Sequence, residues 1–315
     1  MGRPRSILVA FALAFVLAAC GADEPTRTMG GEPPSPSPAA DAFPVTVTGT
    51  NGSVTIDRRP ERIVSLSPTA TEMLFAIGAG DQVLAVDDRS NHPPEAPTTD
   101  LSGFEPNIEA IAAYEPDLVV YATEVGDLGA SLESLGITVL QLDAAADLDG
   151  VYQQILALGT VTGHEGEAEA LVGRMRAQVE EIVSSVDPGA GLTFYYELDD
   201  TFYSVTSDTF IGQLFTMLGL ENIADAAGEA NPYPQLSAEY IIEADPDLIF
   251  LADTECCGQS PETVAARPGW AGISAVRNGG VVPLDDDVAS RWGPRVVDLL
   301  RRVADAVAAA EERAA

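Results

Sequence analysis

The feature that most constrains this chain is an internal repeat. Glu109 precedes Pro116-Asp117-Leu118 and an apolar run, and Glu239 precedes Pro246-Asp247-Leu248 and another, 130 residues later throughout. A second echo sets Leu74, Ile77 and Gly78 against Phe215, Leu218 and Gly219, 141 residues on. Both echoes keep the same order relative to short apolar runs. A duplication of this kind predicts two lobes of like topology, and a length of 315 residues fits about two domains.

The runs at 63–67, 83–86, 117–121, 137–142 and 249–251 are short and apolar, as buried strands are. Between them, 70–78, 107–114 and 128–135 read as helices, the first stopped by Gly78 and Gly80. Alternating strands and helices predict an α/β fold: two lobes, each with a central, mostly parallel sheet flanked by helices. Between the repeats, Ala168, Leu171, Val172, Met175, Val179, Ile182 and Val183 keep helical spacing. They predict one long helix of about 30 Å, a stiff connection rather than a pair of flexible strands. A last helix spans 294–311. The expected organisation is an N-terminal lobe over 45–163, a connecting helix over 164–186 and a C-terminal lobe over 187–315, with a ligand cleft between the lobes.

The chain starts with Arg3 and Arg5 before an apolar run at 7–19. That run is shorter than the ~20 residues needed to span a bilayer, and reads as an export signal over 1–19. Leu17-Ala18-Ala19-Cys20 resembles the bacterial lipoprotein cleavage box, which makes Cys20 a lipidated N-terminus. Residues 20–44 are rich in Pro, Ser, Gly and Ala and read as a tether. The body is expected on the extracytoplasmic face of the cell membrane, held there by its lipid.

Composition excludes several functions. With 49 acidic residues against 16 basic ones, all Arg, the net charge is -33, which is incompatible with a polyanion partner such as nucleic acid. Two His cannot build a three-His zinc site, and no metal site or cofactor is expected. The sequence has no GxSxG elbow, no GxGxxG and no phosphate loop, so no enzyme is expected. His92 reads as a loop residue and His164 as exposed. A monomer is expected.

In parallel sheets ligands sit beyond the carboxyl ends of the strands. The loops there carry Phe104, Tyr121, Tyr196, Tyr233 and Trp292, with Arg89 and Arg291 as guanidinium groups. Aromatic walls with a few polar contacts suit a large, partly flat ligand; each aromatic taken singly could equally pack within a lobe. Cys256 and Cys257 are the only thiols besides Cys20. In an exported protein they form either a vicinal disulfide or a reduced pair.

Three segments carry a family likeness: Arg62-Ile63-Val64-Ser65-Leu66-Ser67-Pro68-Thr69-Ala70-Thr71-Glu72, Pro106-Asn107-Ile108-Glu109-Ala110-Ile111 and Pro116-Asp117-Leu118-Val119. They resemble the ABC-transporter solute-binding proteins for ferric siderophores, haem and cobalamin, over nearly all of 45–307. The likeness is strongest to the cobalamin-binding branch, through His92-Pro93-Pro94-Glu95-Ala96 and Asn231-Pro232-Tyr233-Pro234-Gln235-Leu236-Ser237. It implies two α/β lobes joined by a long helix, a metal-chelate ligand between them, and an ABC permease with its ATPase as partner. It also implies that Glu109 and Glu239 dock the lobes onto the permease. Phe104, Tyr121, Tyr196 and Tyr233 fall where that branch grips its corrin. Arg89 stands where an aromatic is expected, and an Arg there favours an anionic ferric chelate instead. A secreted enzyme on the same scaffold and an exported ligand-sensing module are the competing classes.

Overall fold

The repeat is visible in the backbone. A computed structural model describes residues 43–187, 191–227 and 231–314. The expected export signal, Cys20 and the part of the expected tether up to residue 42 lie outside the described residues.

An antiparallel hairpin, β1 (Val45–Gly49) and β2 (Gly52–Ile56), comes first. The first lobe continues with β3 (Ile63–Leu66), α1 (Pro68–Ala76), β4 (Val83–Val86), α2 (Ile108–Ala112), β5 (Leu118–Tyr121), α3 (Leu128–Ser134), β6 (Val139–Gln141) and α4 (Leu148–Thr162). Then comes α5 (Glu165–Ser185), the long helix expected between the repeats. The second lobe has β7 (Thr193–Glu197), α6 (Phe210–Thr216), β8 (Glu221–Asn222), α7 (Ala238–Ala244), β9 (Leu248–Leu251), α8 (Pro261–Ala265), α9 (Ser274–Arg277), β10 (Val281–Pro283), α10 (Asp286–Ser290) and α11 (Val296–Ala314).

The two sheets are parallel throughout, in the orders β4-β3-β5-β6 and β8-β7-β9-β10. Counted within each lobe, both run 2-1-3-4. The matched sequences do matched work. Asp117 accepts the backbone N–H groups of Glu61 and Arg62, each at 3.0 Å; Asp247 accepts the N–H and hydroxyl of Thr193 at 2.9 and 3.0 Å. Each Asp thereby ties the start of its strand to the strand alongside. Gly78 and Gly219, at φ 84° and 77°, end α1 and α6 in the left-handed region, where a side chain would be strained.

Strand alternation divides the apolar residues into three cores. Val64, Val119 and Tyr121 face outward under α2 and α3. Tyr195, Ile249 and Leu251 do the same under α7 and α8. The opposite faces of both sheets meet one continuous core that includes α1, α4, α5, α6 and α11. The connecting helix is thus embedded in a core that both lobes share, burying Ala168, Leu171, Val172, Met175, Val179 and Ile182.

The hairpin was not read from the sequence. Its Thr50-Asn51 turn docks on the open edge of β6: Thr50 N–H donates to the Gln141 carbonyl at 2.8 Å, and the Asn51 amide exchanges bonds with Val139 and Gln141. An unpaired strand edge is thereby covered. Among the described residues, no helix is long and apolar enough to cross a membrane.

Candidate ligand-binding site

A cavity of about 340 Å³ opens past the carboxyl ends of β3, β4 and β5. That is at the small end for ligand pockets. One wall comes from the first lobe, with Ser67, Asp87, Arg89, Phe104 and Thr123; the other comes from the second, with Asp287, Ser290, Arg291 and Trp292. This is the position that parallel-sheet topology favours for a ligand.

Local chemistry builds the first wall. Ser67 caps α1, its Oγ accepting the Ala70 N–H at 3.3 Å, which turns the positive end of that helix to the cavity edge. The Thr71 hydroxyl donates to Ser65 and Ser65 to the Ser67 carbonyl, at 2.9 and 3.2 Å, so a buried chain of hydroxyls holds the floor. Gly103 lets the loop carrying Phe104 come close. A Cβ there would stand 2.7 Å from the Leu66 carbonyl oxygen and 3.1 Å from Asp87 Oδ2. Phe104 is left 69% exposed at the mouth, free to meet a ligand.

Charges are arranged unequally. Asp87 is buried, and desolvation raises its carboxyl above the usual range, opposed by hydrogen bonds from Ser90 and from the Arg89 N–H. The Arg89 guanidinium has no partner among the described residues, whereas Arg291 is bound to Glu72, Asp287, Asn91 and the Arg89 carbonyl. Trp292 Nε1 donates to Gln154 Oε1 at 3.1 Å, fixing the indole across the lobes.

Of the residues expected at the site, Arg89, Phe104, Arg291 and Trp292 come together at this cavity. Tyr233 is exposed but lies in a loop outside the lining. Tyr121 and Tyr196 end up inside the lobes, for reasons of register. Tyr196 shares the central-core face of β7 with Phe194, and its hydroxyl donates to the Ala289 carbonyl at 2.9 Å. Tyr121 sits on the outward face of β5 and donates to Glu124 at 2.7 Å; its chain neighbours Ala122 and Thr123 line the cavity instead. The sequence placed these two tyrosines near strand ends but could not say which face each took.

Of the two alternatives for Cys256 and Cys257, the structure has the reduced pair, both thiols free and exposed. The backbone N–H groups of Thr254, Glu255 and Cys256 all converge on the Asp286 carboxylate, which sets the loop's course without help from a disulfide. Desolvation and a hydrogen bond with Cys257 push the Cys256 thiol up to about 12. His164 is largely buried rather than exposed, 2.9 Å from Arg59 Nη2; burial and that cation lower its pKa.

Glu109 and Glu239 are exposed on the first turns of α2 and α7. Their helices are capped alike, Asn107 accepting from the Ala110 N–H and Ser237 from the Tyr240 N–H. Glu72, Asp87, Asn91 and Arg295 were not among the expected site residues, although the first three follow the predicted strands at 63–67 and 83–86. Among the described residues no group of three or more His, Cys, Asp or Glu is placed to hold a metal ion.

The family described as periplasmic binding protein matches residues 63–288. A cobalamin-binding protein of Halobacterium salinarum is 32% identical over 312 residues, covering 95% of this chain and 83% of that one. An uncharacterised ABC transporter substrate-binding lipoprotein of Bacillus subtilis, YvrC, is 30% identical, covering 85% and 86%. The crystal structure of the periplasmic vitamin B12 binding protein of Vibrio cholerae superimposes with a TM-score of 0.66 at 27% identity, covering 80% of this chain and 98% of that one.

Proposed function

The chain belongs to the periplasmic binding protein family, and from that premise we propose that it captures a metal chelate between its lobes and delivers it to an ABC permease. The observation that carries this reading is the cavity between Phe104 and Trp292, with an unpaired Arg89 in its wall. Aromatic faces stack on a flat macrocycle, and a low-lying charge orients it. Likeness to cobalamin-binding relatives supports a corrinoid. Arg89 supports a second reading, an anionic ferric siderophore, because a guanidinium pairs with carboxylate or hydroxamate oxygens.

Delivery follows from Glu109 and Glu239. They are equivalent carboxylates, one on each lobe, and suit a permease with two like subunits. Exposed charges of this kind steer and orient a partner more than they add affinity. Cys20 supplies the anchor that keeps the protein at the outer face of the membrane.

Native mass spectrometry and absorbance after incubation with cobalamin, haem and ferric siderophores test the ligand. One bound equivalent of a single chelate is expected; no binding of any would overturn the reading. Cys20→Ser is expected to release the processed protein from membranes, and an unchanged membrane fraction would refute the anchor.

A further inference from the structure

Glu72 sits on the first helix of the first lobe, yet its ion pairs all go to the second. Arg291 Nη1 donates to Glu72 Oε1 at 2.8 Å; Arg295 donates through Nη2 to Oε1 at 2.6 Å and through Nε to Oε2 at 3.0 Å. The carboxylate is only 3% exposed. Arg291 uses its other N–H groups on Asn91 Oδ1 at 3.0 Å, the Arg89 carbonyl at 2.9 Å and Asp287 at 2.6 Å. The Asn91 amide then donates to Asp287 Oδ2 at 2.7 Å. First-lobe acceptors and second-lobe guanidiniums are thus interlocked along one edge of the cavity.

The repeat supplies an independent sign that the position matters. Glu72 plus the 141-residue offset is Gln213, on the equivalent helix α6. Gln213 also reaches across, in the opposite direction: its Nε2 donates to the Ala146 carbonyl, just ahead of α4, at 3.0 Å. Each lobe therefore extends one side chain to the other from the same place on its first helix. The first clasp is ionic and multidentate, and the second is a single neutral bond.

We propose that Glu72 is a positioning residue of the ligand cleft, setting the separation of its two walls through Arg291 and Arg295. By saturating Arg291 it leaves Arg89 as the wall guanidinium open to an anionic group on the ligand, a consequence that rests on the chelate-binding reading above. Removing one partner of a buried ion pair leaves the other charge uncompensated, so the clasp should fail locally when Glu72 loses its charge. Salt should affect it little, because buried pairs are poorly screened.

Hydrogen exchange on the ligand-free protein tests the clasp without needing the ligand. Glu72→Gln is expected to speed exchange at 286–292 and 89–91 by about tenfold or more while α5 and β9 keep the parent's protection. Arg295→Gln, a milder break outside the cavity lining, should do the same more weakly and stands in if Glu72→Gln does not fold. Arg301→Gln, at an exposed pair, is the control and should change neither segment. Parent-like exchange in both segments in Glu72→Gln, or in Arg295→Gln where it is the folded variant, would overturn the proposal. So would a uniform rise across the whole chain, the mark of general destabilisation. With whichever probe chelate binds the parent, Glu72→Gln should raise the dissociation rate about tenfold with little change in association. If no chelate binds the parent, the functional reading fails while the exchange result still decides the clasp.

Discussion

Asp253, two residues beyond β9, is fully buried, with neither carboxylate oxygen meeting a hydrogen-bond partner among the described residues. Glu197 beside it is bound by Arg267 through two bonds, and that guanidinium lies 4.5 Å from the Trp270 ring centre. Two buried carboxylates thus share one cation. Desolvation, then Glu197, push Asp253 up to about 7, from 3.8 in a free chain. The folded state therefore holds a proton that the unfolded chain releases, so the contribution of Asp253 to stability is greatest at low pH and falls as pH rises from about 4 to 7. Asp253→Asn should flatten that decline and gain on the order of 1–3 kcal/mol at pH 8. Urea unfolding at pH 5 and pH 8 checks this, and a parent whose stability rises between those values by as much as its variant's would contradict it. At the cavity, Phe104→Ala and Trp292→Ala should each cost on the order of 1 kcal/mol of ligand binding beyond lost area, measured by calorimetry.

At the scale of elements, the duplicated turn before β5 and β9 allows a contrast. Glu115 and Asp245 occupy matching positions at φ 48° and 45°, left-handed backbone that disfavours a side chain. Glu115 is exposed, so Glu115→Gly should stabilise by up to about 1 kcal/mol. Asp245 differs, because its carboxylate accepts the Ser274 N–H and hydroxyl at 2.6 and 2.9 Å. Asp245→Gly should therefore destabilise despite relieving the backbone, and thermal melts of the two variants decide the matter. The same segments show how far the sequence could be read. Pro-Asp-Leu, the Gly stops and the helical spacing of 165–183 are local signals, and they foretold strands, helix ends and the α5 rod. Tyr121 and Tyr196 could not be placed that way, because a strand turns alternate residues to opposite faces and only the layers packed on it say which face is open. Glu72 was illegible for a different reason: its partners lie 219 and 223 residues away, and no local pattern encodes them. The hairpin had a signal in its alternating residues and Asn51-Gly52, which went unused.

The whole molecule carries a net charge of -33. Self-repulsion at that density disfavours the compact state, and salt relieves it as the screening length falls from about 10 Å at 0.1 M to about 3 Å at 1 M. Unfolding midpoints should rise with sodium chloride over that range, and a flat profile would show that the acidic surface is energetically neutral. Glu109→Ala with Glu239→Ala should leave folding and ligand binding intact while uptake by the cognate permease fails; normal uptake would leave both carboxylates only complementing the positive ends of their helices. The shared core and the Glu72 ion pairs both tie the two lobes together in the ligand-free structure. The central claim is that a metal chelate occupies that cleft between Phe104 and Trp292. An absorbance titration of the purified protein, in parallel with its Phe104→Ala/Trp292→Ala double variant, against cobalamin and a set of ferric siderophores tests it most directly. The account expects saturation at one equivalent for a single chelate class and a large loss of affinity in the double variant. Equal affinity in the two proteins, or no saturable change with any chelate, would contradict it.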